Sequence, residues 1–266
     1  MKFREIFRFE FVYQARRVRT WLYFAVLFVV AYLLMRTAGG GAVFVNSPYA
    51  IAQQTVLTGL LWVLMAPAVA GSAAARDVQT RMHPFIYAAP IRKADYLGGR
   101  FLAAFVLNAL ILLAVPLGIL AALYLPGGVE PEFLAPFRPA VYLSSYGVLA
   151  LPTAFTFTAV QFSLAALKRR TIVSYLGGVL FFVTVSIVSA LLVNILQMPT
   201  LGRLLDPNCR LTVLNLMAET FTPLQMNTVL IGLERSILAN RLLWITVSVA
   251  ILAFTHVRFR LGHRAG

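Results

Sequence analysis

The chain has 266 residues, of which 60% are hydrophobic and only 12% are charged. Because soluble domains carry about 25% charged residues, this composition excludes an ordinary water-soluble fold and makes a lipid bilayer the expected solvent. A net charge of +14 would suggest a nucleic-acid partner for a soluble protein, but here the basic residues flank apolar segments. Membrane orientation signals have that arrangement, so we expect membrane lipids and no nucleic acid as partners.

Residues 1–19 alternate charges with large apolar side chains. Spacings of three and four put several of these on one helical face: Phe3, Ile6, Phe7, Phe11 and Val12. The pattern predicts an amphipathic helix in the membrane interface, and the alternative is a basic flank that only sets topology. Because the charged region is long, contains Glu5 and Glu10 and precedes no A-x-A site, we expect an uncleaved first helix.

Six apolar segments follow, each near the ~20 residues needed to cross the hydrocarbon core. They are residues 20–36, 50–75, 101–125, 140–167, 171–196 and 241–257. Six spans put both termini on one side, and 17 of the 23 Lys and Arg residues fall on that side, in 1–19, 76–100, 168–170 and 258–264. The positive-inside rule makes that side cytoplasmic. The sequence therefore predicts an all-α, multi-pass protein of the cell (inner) membrane, forming one domain over 1–266.

No catalytic or metal-binding motif stands out. The H-E-x-x-H, P-loop and G-x-S-x-G patterns are missing, and His83, His256, His263 and the single Cys209 are scattered. The centres of the predicted spans carry almost no ionisable residues, which argues against a proton relay. Polar residues within the spans are expected to make interhelical hydrogen bonds, with a transport path as the alternative: Asn108, Thr153, Thr156, Thr158, Gln161 and Asn194. Prolines 67, 116 and 152 should kink the spans that contain them.

Residues 76–100 form an unusually long connector between the second and third spans, whereas "KRR" suffices between the fourth and fifth. "RDVQTRMH" should continue the second helix, and Pro90 should lie early in a new helix, with the third span starting after Gly98 and Gly99. Apolar side chains cluster around the first proline, Pro84: Met82, Phe85, Ile86 and Tyr87. An apolar knob with basic edges fits a groove on another protein, and the alternative is a plain solvated loop.

The segment 197–240 on the other side is semi-apolar and broken by Pro199, Pro207 and Pro223. It is too interrupted for a further span, so short helices that dip into the outer interface are expected. Residues 126–139, rich in Pro and Gly, should form a turn region.

The stretch "ARDVQTRMHPFIYAAPIRKADYLGGRFLAA" resembles permease subunits of ABC-2 type transporters. Their pattern of Arg-Asp, small-Pro-Ile and Tyr-Leu-Gly-Lys/Arg-Phe corresponds here to Arg76-Asp77, Ala89-Pro90-Ile91, Tyr96-Leu97-Gly98 and Arg100-Phe101. "LLDPN", "FTPLQMNT" and "NRLLW" are similar to a subgroup that is sometimes fused to an aminopeptidase-like domain. The resemblance implies a coupling helix between spans two and three and short re-entrant helices between spans five and six.

The resemblance also implies the partners. A separate ABC ATPase subunit would hold ATP and Mg²⁺ and dock on residues 79–91, so this chain needs no cofactor and is not an enzyme. A second copy, or a related permease, would complete a path for a hydrophobic or amphipathic substrate. The residues implied for coupling are Asp77, Arg81, Met82, Phe85, Ile86 and Tyr87, with Arg76 and Arg92 as secondary candidates. A non-transporting membrane anchor that recruits cytoplasmic proteins is the alternative function.

Overall fold

The computed structural model describes residues 2–38, 41–88, 90–127, 129–232 and 234–260, with only the backbone of 86–88. Within these residues every regular element is a helix, and six helical stretches are long and apolar enough to cross a membrane. The prediction of an all-α chain with six helices able to span a membrane is therefore confirmed.

The six spans contain most of the helical residues. The first three spans and the helices before and between them are α1 (Lys2–Ala15), α2 (Val18–Arg36), α3 (Pro48–Gln79), α4 (His83–Ala88), α5 (Lys93–Leu112) and α6 (Ala114–Tyr124). The remaining helices are α7 (Pro139–Ser144), α8 (Leu151–Lys168), α9 (Thr171–Asn194), α10 (Pro199–Leu205), α11 (Met217–Thr220), α12 (Pro223–Thr228) and α13 (Arg235–Arg258). The third span combines α5 and α6, and the fourth combines α7, a π-helical stretch (Ser145–Ala150) and α8.

Several helix boundaries differ from those predicted. Because α3 continues to Gln79 and α5 begins at Lys93, the connector between the second and third spans shrinks from residues 76–100 to residues 80–92. Pro90 lies before α5, not inside its first turn, and the sixth span begins at residue 235 rather than 241. Hydropathy predicts only the part of a helix that is apolar enough to contact lipid. These helices continue beyond that part as polar turns that pack against other parts of the protein, so their ends were missed.

Gly98 and Gly99 lie inside α5 and do not precede it. A Cβ atom on Gly99 would lie 3.1 Å from Cγ2 of Ile6, and one on Gly98 would lie 3.1 Å from the Phe3 ring. The two glycines therefore allow α1 to pack closely along the first turns of α5. The deepest residues of α1 are Glu10 and Gln14, both buried, so its inner face is more polar than the apolar pattern predicted.

The three prolines affect their spans differently. The boundary between α5 and α6 falls at Leu113, three residues before Pro116, and the π-helical stretch precedes Pro152. Around Pro67, α3 stays helical. A proline deprives the carbonyl four residues earlier of its donor. At Pro67 that carbonyl belongs to Val63, and it accepts a bond from Gln161 Nε2 at 3.3 Å, so a neighbouring span replaces the lost donor.

The spans divide into a buried core and a periphery. In the second and fourth spans 72% of the most apolar window is buried, against 11% in the fifth. The core includes an edge-on contact between Trp62 of α3 and Phe157 of α8, with ring centroids 6.4 Å apart. By contrast, α9 exposes Leu176, Leu180 and Ile187. This pattern is typical of a bundle that meets lipid or another apolar surface around its outside.

Replacing Gly118 with alanine should lower the free energy of unfolding by about 1–3 kcal/mol through overpacking. A Cβ atom there would lie 2.5 Å from the backbone oxygen of Phe28, so α2 and α6 would have to separate. Thermal unfolding in detergent measures the change. The matched control is Gly147→Ala, where a Cβ atom meets nothing within 4 Å. Equal stabilities of the two variants would contradict the close packing.

Candidate functional site

Four basic segments of the sequence meet at one end of the bundle, which we call the basic end. Lys93 Nζ donates to the Phe259 carbonyl at 2.9 Å, and Arg169 Nη2 donates to the Arg260 carbonyl at 3.1 Å. The Lys2 ammonium donates to the carbonyl of Pro90. These bonds bring α1, the connector 80–92, the connector after α8 and the end of α13 together. Loops at the opposite end contact each other in the same way, as Asn227 does with Phe44.

A buried group of ionic side chains, the charge cluster, joins three helices at the basic end. Its members are Glu10 of α1, Arg76 and Asp77 of α3, and Tyr96 and Arg100 of α5, and none is more than 9% exposed. Nη1 and Nη2 of Arg76 donate to the two carboxylate oxygens of Glu10 at 3.0 and 2.7 Å. Arg100 Nη2 lies 2.5 Å from Asp77 Oδ2, which also accepts from the Tyr96 hydroxyl at 3.0 Å.

The charge cluster is electrically balanced, with two carboxylates and two guanidinium groups. Two further hydrogen bonds involve members of the cluster. Arg100 Nη1 donates to the Ala73 carbonyl at 2.8 Å, and Gln14 Nε2 donates to Glu10 Oε1 at 2.8 Å. Buried ions are tolerated only when paired and hydrogen-bonded in this way. The cluster therefore holds α1 and the facing ends of α3 and α5 in one arrangement.

The cluster changes the interpretation of two residues that the sequence assigned to partner contact. Asp77 and the secondary candidate Arg76 are buried and fully engaged with Glu10, Tyr96 and Arg100. Neither presents a free polar group on the surface of the connector. Both residues instead hold in place the end of the helix from which the connector starts.

The connector begins with a tight turn at the end of α3. The Met82 N–H donates to the Asp77 carbonyl at 2.9 Å, and the Arg81 N–H donates to the Val78 carbonyl at 3.2 Å. This pair of bonds is the Schellman motif, in which the residue after the cap adopts a left-handed conformation. Arg81 has a φ of +57°, a value that costs a non-glycine residue roughly 1–2 kcal/mol. The turn directs the chain away from α3 into α4.

The residues after this turn present an apolar surface, which we call the connector knob. Met82 is 50% exposed and Phe85 is 74% exposed, while Arg81 and Arg92 are exposed on either side. The side chains of Ile86 and Tyr87, also predicted for coupling, lie outside the described residues. Four of the predicted residues are therefore at the surface: Arg81, Met82, Phe85 and Arg92.

A cleft of about 540 Å³ lies between α1 and the connector, beside the charge cluster. Ile6, Phe9 and Tyr13 of α1 form one wall, and Met82 and Ile91 form another. The guanidinium carbon of Arg76 lies 4.1 Å from the centroid of the Tyr13 ring. Four residues of the charge cluster also line this cleft: Arg76, Asp77, Tyr96 and Arg100.

Polar residues inside the spans bond across helices, as the sequence predicted. Asn108 Nδ2 donates to Thr158 Oγ1 at 3.0 Å, and the Ser248 hydroxyl lies 3.2 Å from Thr156 Oγ1. Together with the Gln161 bond at Pro67, these contacts join α5, α3 and α13 to α8. Asn194, by contrast, is exposed in the last turn of α9.

The opposite end contains a second buried polar group that sequence reasoning missed. Arg241, the first residue of the predicted sixth span, lies nearly two turns inside α13 and is 5% exposed. It donates to the Pro207 carbonyl at 2.9 Å and to Thr153 at 3.3 Å. Asn240 Nδ2 donates to the carbonyls of residues 203, 204 and 206 at 3.0, 3.0 and 2.8 Å. Burial raises the pKa of Asp206, although its bond from the Leu211 N–H opposes this rise. The group anchors the turn after α10 to α13.

Other chemical sites are not apparent in the described part of the chain. No group of three or more His, Cys, Asp or Glu side chains is placed there to hold a metal ion. No family model and no curated protein matches the chain. The basic end, with its charge cluster and connector knob, is therefore the candidate functional site.

Proposed function

We propose that this chain is the transmembrane permease subunit of an ABC-2 type transporter. In this proposal the basic end faces the cytoplasm, and a separate ATPase subunit docks on the connector knob. ATP hydrolysis by that subunit drives movement of a hydrophobic or amphipathic substrate across the membrane. The observation that carries the proposal is the exposed pair Met82 and Phe85: Met82 directly precedes the short helix α4, and Phe85 lies on it, between two long spans.

The charge cluster supports the proposal because it supplies a stiff connection. A force on the connector knob reaches α3 and α5 through chain segments of only a few residues. Both helices are tied to each other and to α1 by buried, charge-assisted bonds, which are stronger than neutral ones. A docked partner that moves the knob would therefore move α1, α3 and α5 as a group rather than bend one loop.

The exposed spans support the need for a second permease. The fifth span is only 11% buried in its most apolar window, and the first is 22% buried. Within one copy, Trp62 and Phe157 fill the core between α3 and α8. In this proposal a second copy or a related permease beside the peripheral helices completes the path for substrate.

Copurification tests the proposal directly. The chain, expressed in its source cells and purified in detergent, should bring down a subunit that hydrolyses ATP. Phe85→Asp should weaken that association at least tenfold, because a charge replaces an apolar side chain at the centre of the contact. Binding of the purified subunit by the two forms, measured by fluorescence or calorimetry, gives the ratio.

Leu224→Asp is the matched control, because Leu224 is 72% exposed on α12 at the opposite end. It introduces the same charge at an equally exposed apolar position and should leave the association unchanged. Equal loss in both variants, or unchanged association in Phe85→Asp, would contradict docking on the knob. A partner without ATPase activity that needs Phe85 would instead support the anchor function.

A further inference from the structure

A small cavity of about 10 Å³ lies inside the bundle, where several irregular parts of the fold meet α3. Leu112 at the end of α5 lines it, together with Leu149 and Ala150 at the end of the π-helical stretch. Thr153 of α8 and Asn208 of the turn after α10 complete this side. Because one water molecule needs roughly 10–15 Å³, the cavity has room for a single water and for no larger ligand.

The side chain of Trp62 in α3 forms part of the cavity wall and is fully buried. Its indole N–H has no hydrogen-bond partner among the residues that the structure describes. The other two tryptophans differ in this respect. The indole N–H of Trp21 donates to the Ala15 carbonyl at 2.8 Å, and that of Trp244 donates to the Leu204 carbonyl at 3.2 Å. Since a buried donor left unpaired is costly, Trp62 requires an acceptor that fits in the cavity.

Three polar side chains on the cavity wall provide acceptors, namely Thr55, Thr153 and Asn208. Each threonine hydroxyl donates to the carbonyl four residues earlier in the chain, at 2.7 and 2.8 Å. Asn208 Nδ2 donates to the Val56 carbonyl at 3.1 Å, which leaves the carboxamide oxygen as an acceptor. With their hydrogens engaged in this way, all three oxygens offer lone pairs to a further donor.

The hydrogen-bonding groups of the wall match a neutral water molecule. Water accepts from a donor such as the indole N–H of Trp62 and donates two hydrogen bonds to oxygens, and buried waters typically make about three such bonds. A cation would lie close to a positive charge, because Arg241 Nη1 donates to Thr153 Oγ1 at 3.3 Å. An anion would face three oxygens with lone pairs, so neither ion suits the cavity.

We propose that this cavity is a binding site for one ordered water molecule. The water accepts a hydrogen bond from the Trp62 indole N–H and donates to the Asn208 carboxamide oxygen and to a threonine hydroxyl oxygen. It thereby links α3 to the turn after α10, beside the π-helical stretch of the fourth span. The site is independent of the transport function proposed above, because it requires no ATPase subunit.

Nuclear magnetic resonance of the chain in deuterated detergent micelles tests the site, with the indole nitrogens of its three tryptophans isotope-labelled. The signals are assigned by replacing Trp21 and Trp244 in turn with phenylalanine. A bound water gives a nuclear Overhauser cross-peak between its protons and the indole N–H. This cross-peak has opposite signs in laboratory-frame and rotating-frame spectra, which distinguishes it from proton exchange. Trp62 should show it, whereas Trp244, which is 6% exposed and bonded to a carbonyl, should not.

Gly59→Ala should abolish the Trp62 cross-peak, because Gly59 lines the cavity and a Cβ atom there takes the space of the water. That Cβ atom would lie 3.4 Å from Asn208 Oδ1, an ordinary van der Waals contact, so the variant should fold. Gly147→Ala is the matched control. A Cβ atom at Gly147 meets nothing within 4 Å, and the cross-peak should stay unchanged.

The comparison of Trp62 with Trp244 in the unmodified chain requires no substitution. A missing cross-peak for Trp62 would overturn the proposal, and so would one of equal strength for Trp244, which would indicate general entry of water. Persistence of the cross-peak in Gly59→Ala would assign it to neighbouring hydroxyl protons and contradict the water site. Its loss in Gly147→Ala would do the same, because that substitution leaves the cavity unfilled.

Discussion

Replacing Arg100 with methionine should lower the free energy of unfolding by about 3–5 kcal/mol, the cost typical of breaking a buried ion pair. The side chain of Arg100 is 5% exposed, lies 2.5 Å from the Asp77 carboxylate and donates to the Ala73 carbonyl. Methionine preserves much of the apolar volume but leaves Asp77 as a buried carboxylate. Its remaining partners are then the Tyr96 hydroxyl and Arg76 Nε, which lies 3.8 Å from Asp77 Oδ1. Thermal or denaturant unfolding in detergent measures the loss.

A second substitution distinguishes lost charge balance from lost packing. Adding Asp77→Leu to Arg100→Met removes the whole neutral pair and leaves the bidentate bond between Arg76 and Glu10 intact. The double variant should recover at least half of the loss, because well-packed apolar residues often replace a buried ion pair at little cost. Arg92→Met is the matched control, since Arg92 is exposed and should change stability by less than about 0.5 kcal/mol. A loss in Arg100→Met no larger than in this control would contradict the cluster's structural importance.

The same double variant separates stability from function. In the proposed transporter the cluster transmits motion of the connector knob to α1, α3 and α5. A form that folds stably without the Arg100–Asp77 pair should still bind the ATPase subunit through Phe85. Its transport per ATP hydrolysed should fall, because the stiff connection to α5 is lost. Substrate movement and ATP hydrolysis in reconstituted vesicles give this ratio.

Hydropathy predicted the six spans because a lipid-facing helix must be apolar over its whole crossing length. It could not predict where α3 ends and where α5 begins, because these terminal turns pack on α1 and on each other through polar side chains. Three ionisable residues flanked the predicted spans, namely Arg76, Asp77 and Arg100, and Glu10 lay in the predicted interfacial helix. Their balanced charge was the available signal for a cluster, but pairing across 66 residues of chain depends on tertiary packing.

Arg241 illustrates the same limit at the opposite end. The sequence placed Arg241 at the outer boundary of the sixth span, although α13 begins six residues earlier and buries it. The hydrogen-bond partners of Arg241 are the Pro207 carbonyl and Thr153, not an acidic side chain. The contact therefore could not be predicted from paired opposite charges in the sequence. The exposed knob could be predicted because Pro84 and Pro90 limit regular structure on a short connector, and its apolar residues are adjacent in the sequence.

Cys209, the only cysteine of the chain, should react with N-ethylmaleimide at least 100-fold more slowly in the folded protein than after denaturation in dodecyl sulfate. The thiol is fully buried in the turn that follows Asp206, and burial raises its pKa, which reduces the reactive thiolate. Labelling therefore requires local opening of this turn. Mass spectrometry of samples quenched at successive times gives both rates.

Asn240→Ala should increase the labelling rate of the folded protein by up to about 100-fold. The substitution removes the donor to three carbonyls of residues 203–206, and each lost bond lowers the opening free energy by about 1 kcal/mol. A total of about 3 kcal/mol corresponds to roughly two factors of ten in the open population. Asn194→Ala is the matched control, because that asparagine is exposed at the end of α9 and should leave the rate unchanged. Rapid labelling of the unmodified chain would show that the turn does not pack on α13. Equal rates in the two variants would show that Asn240 does not fasten it there.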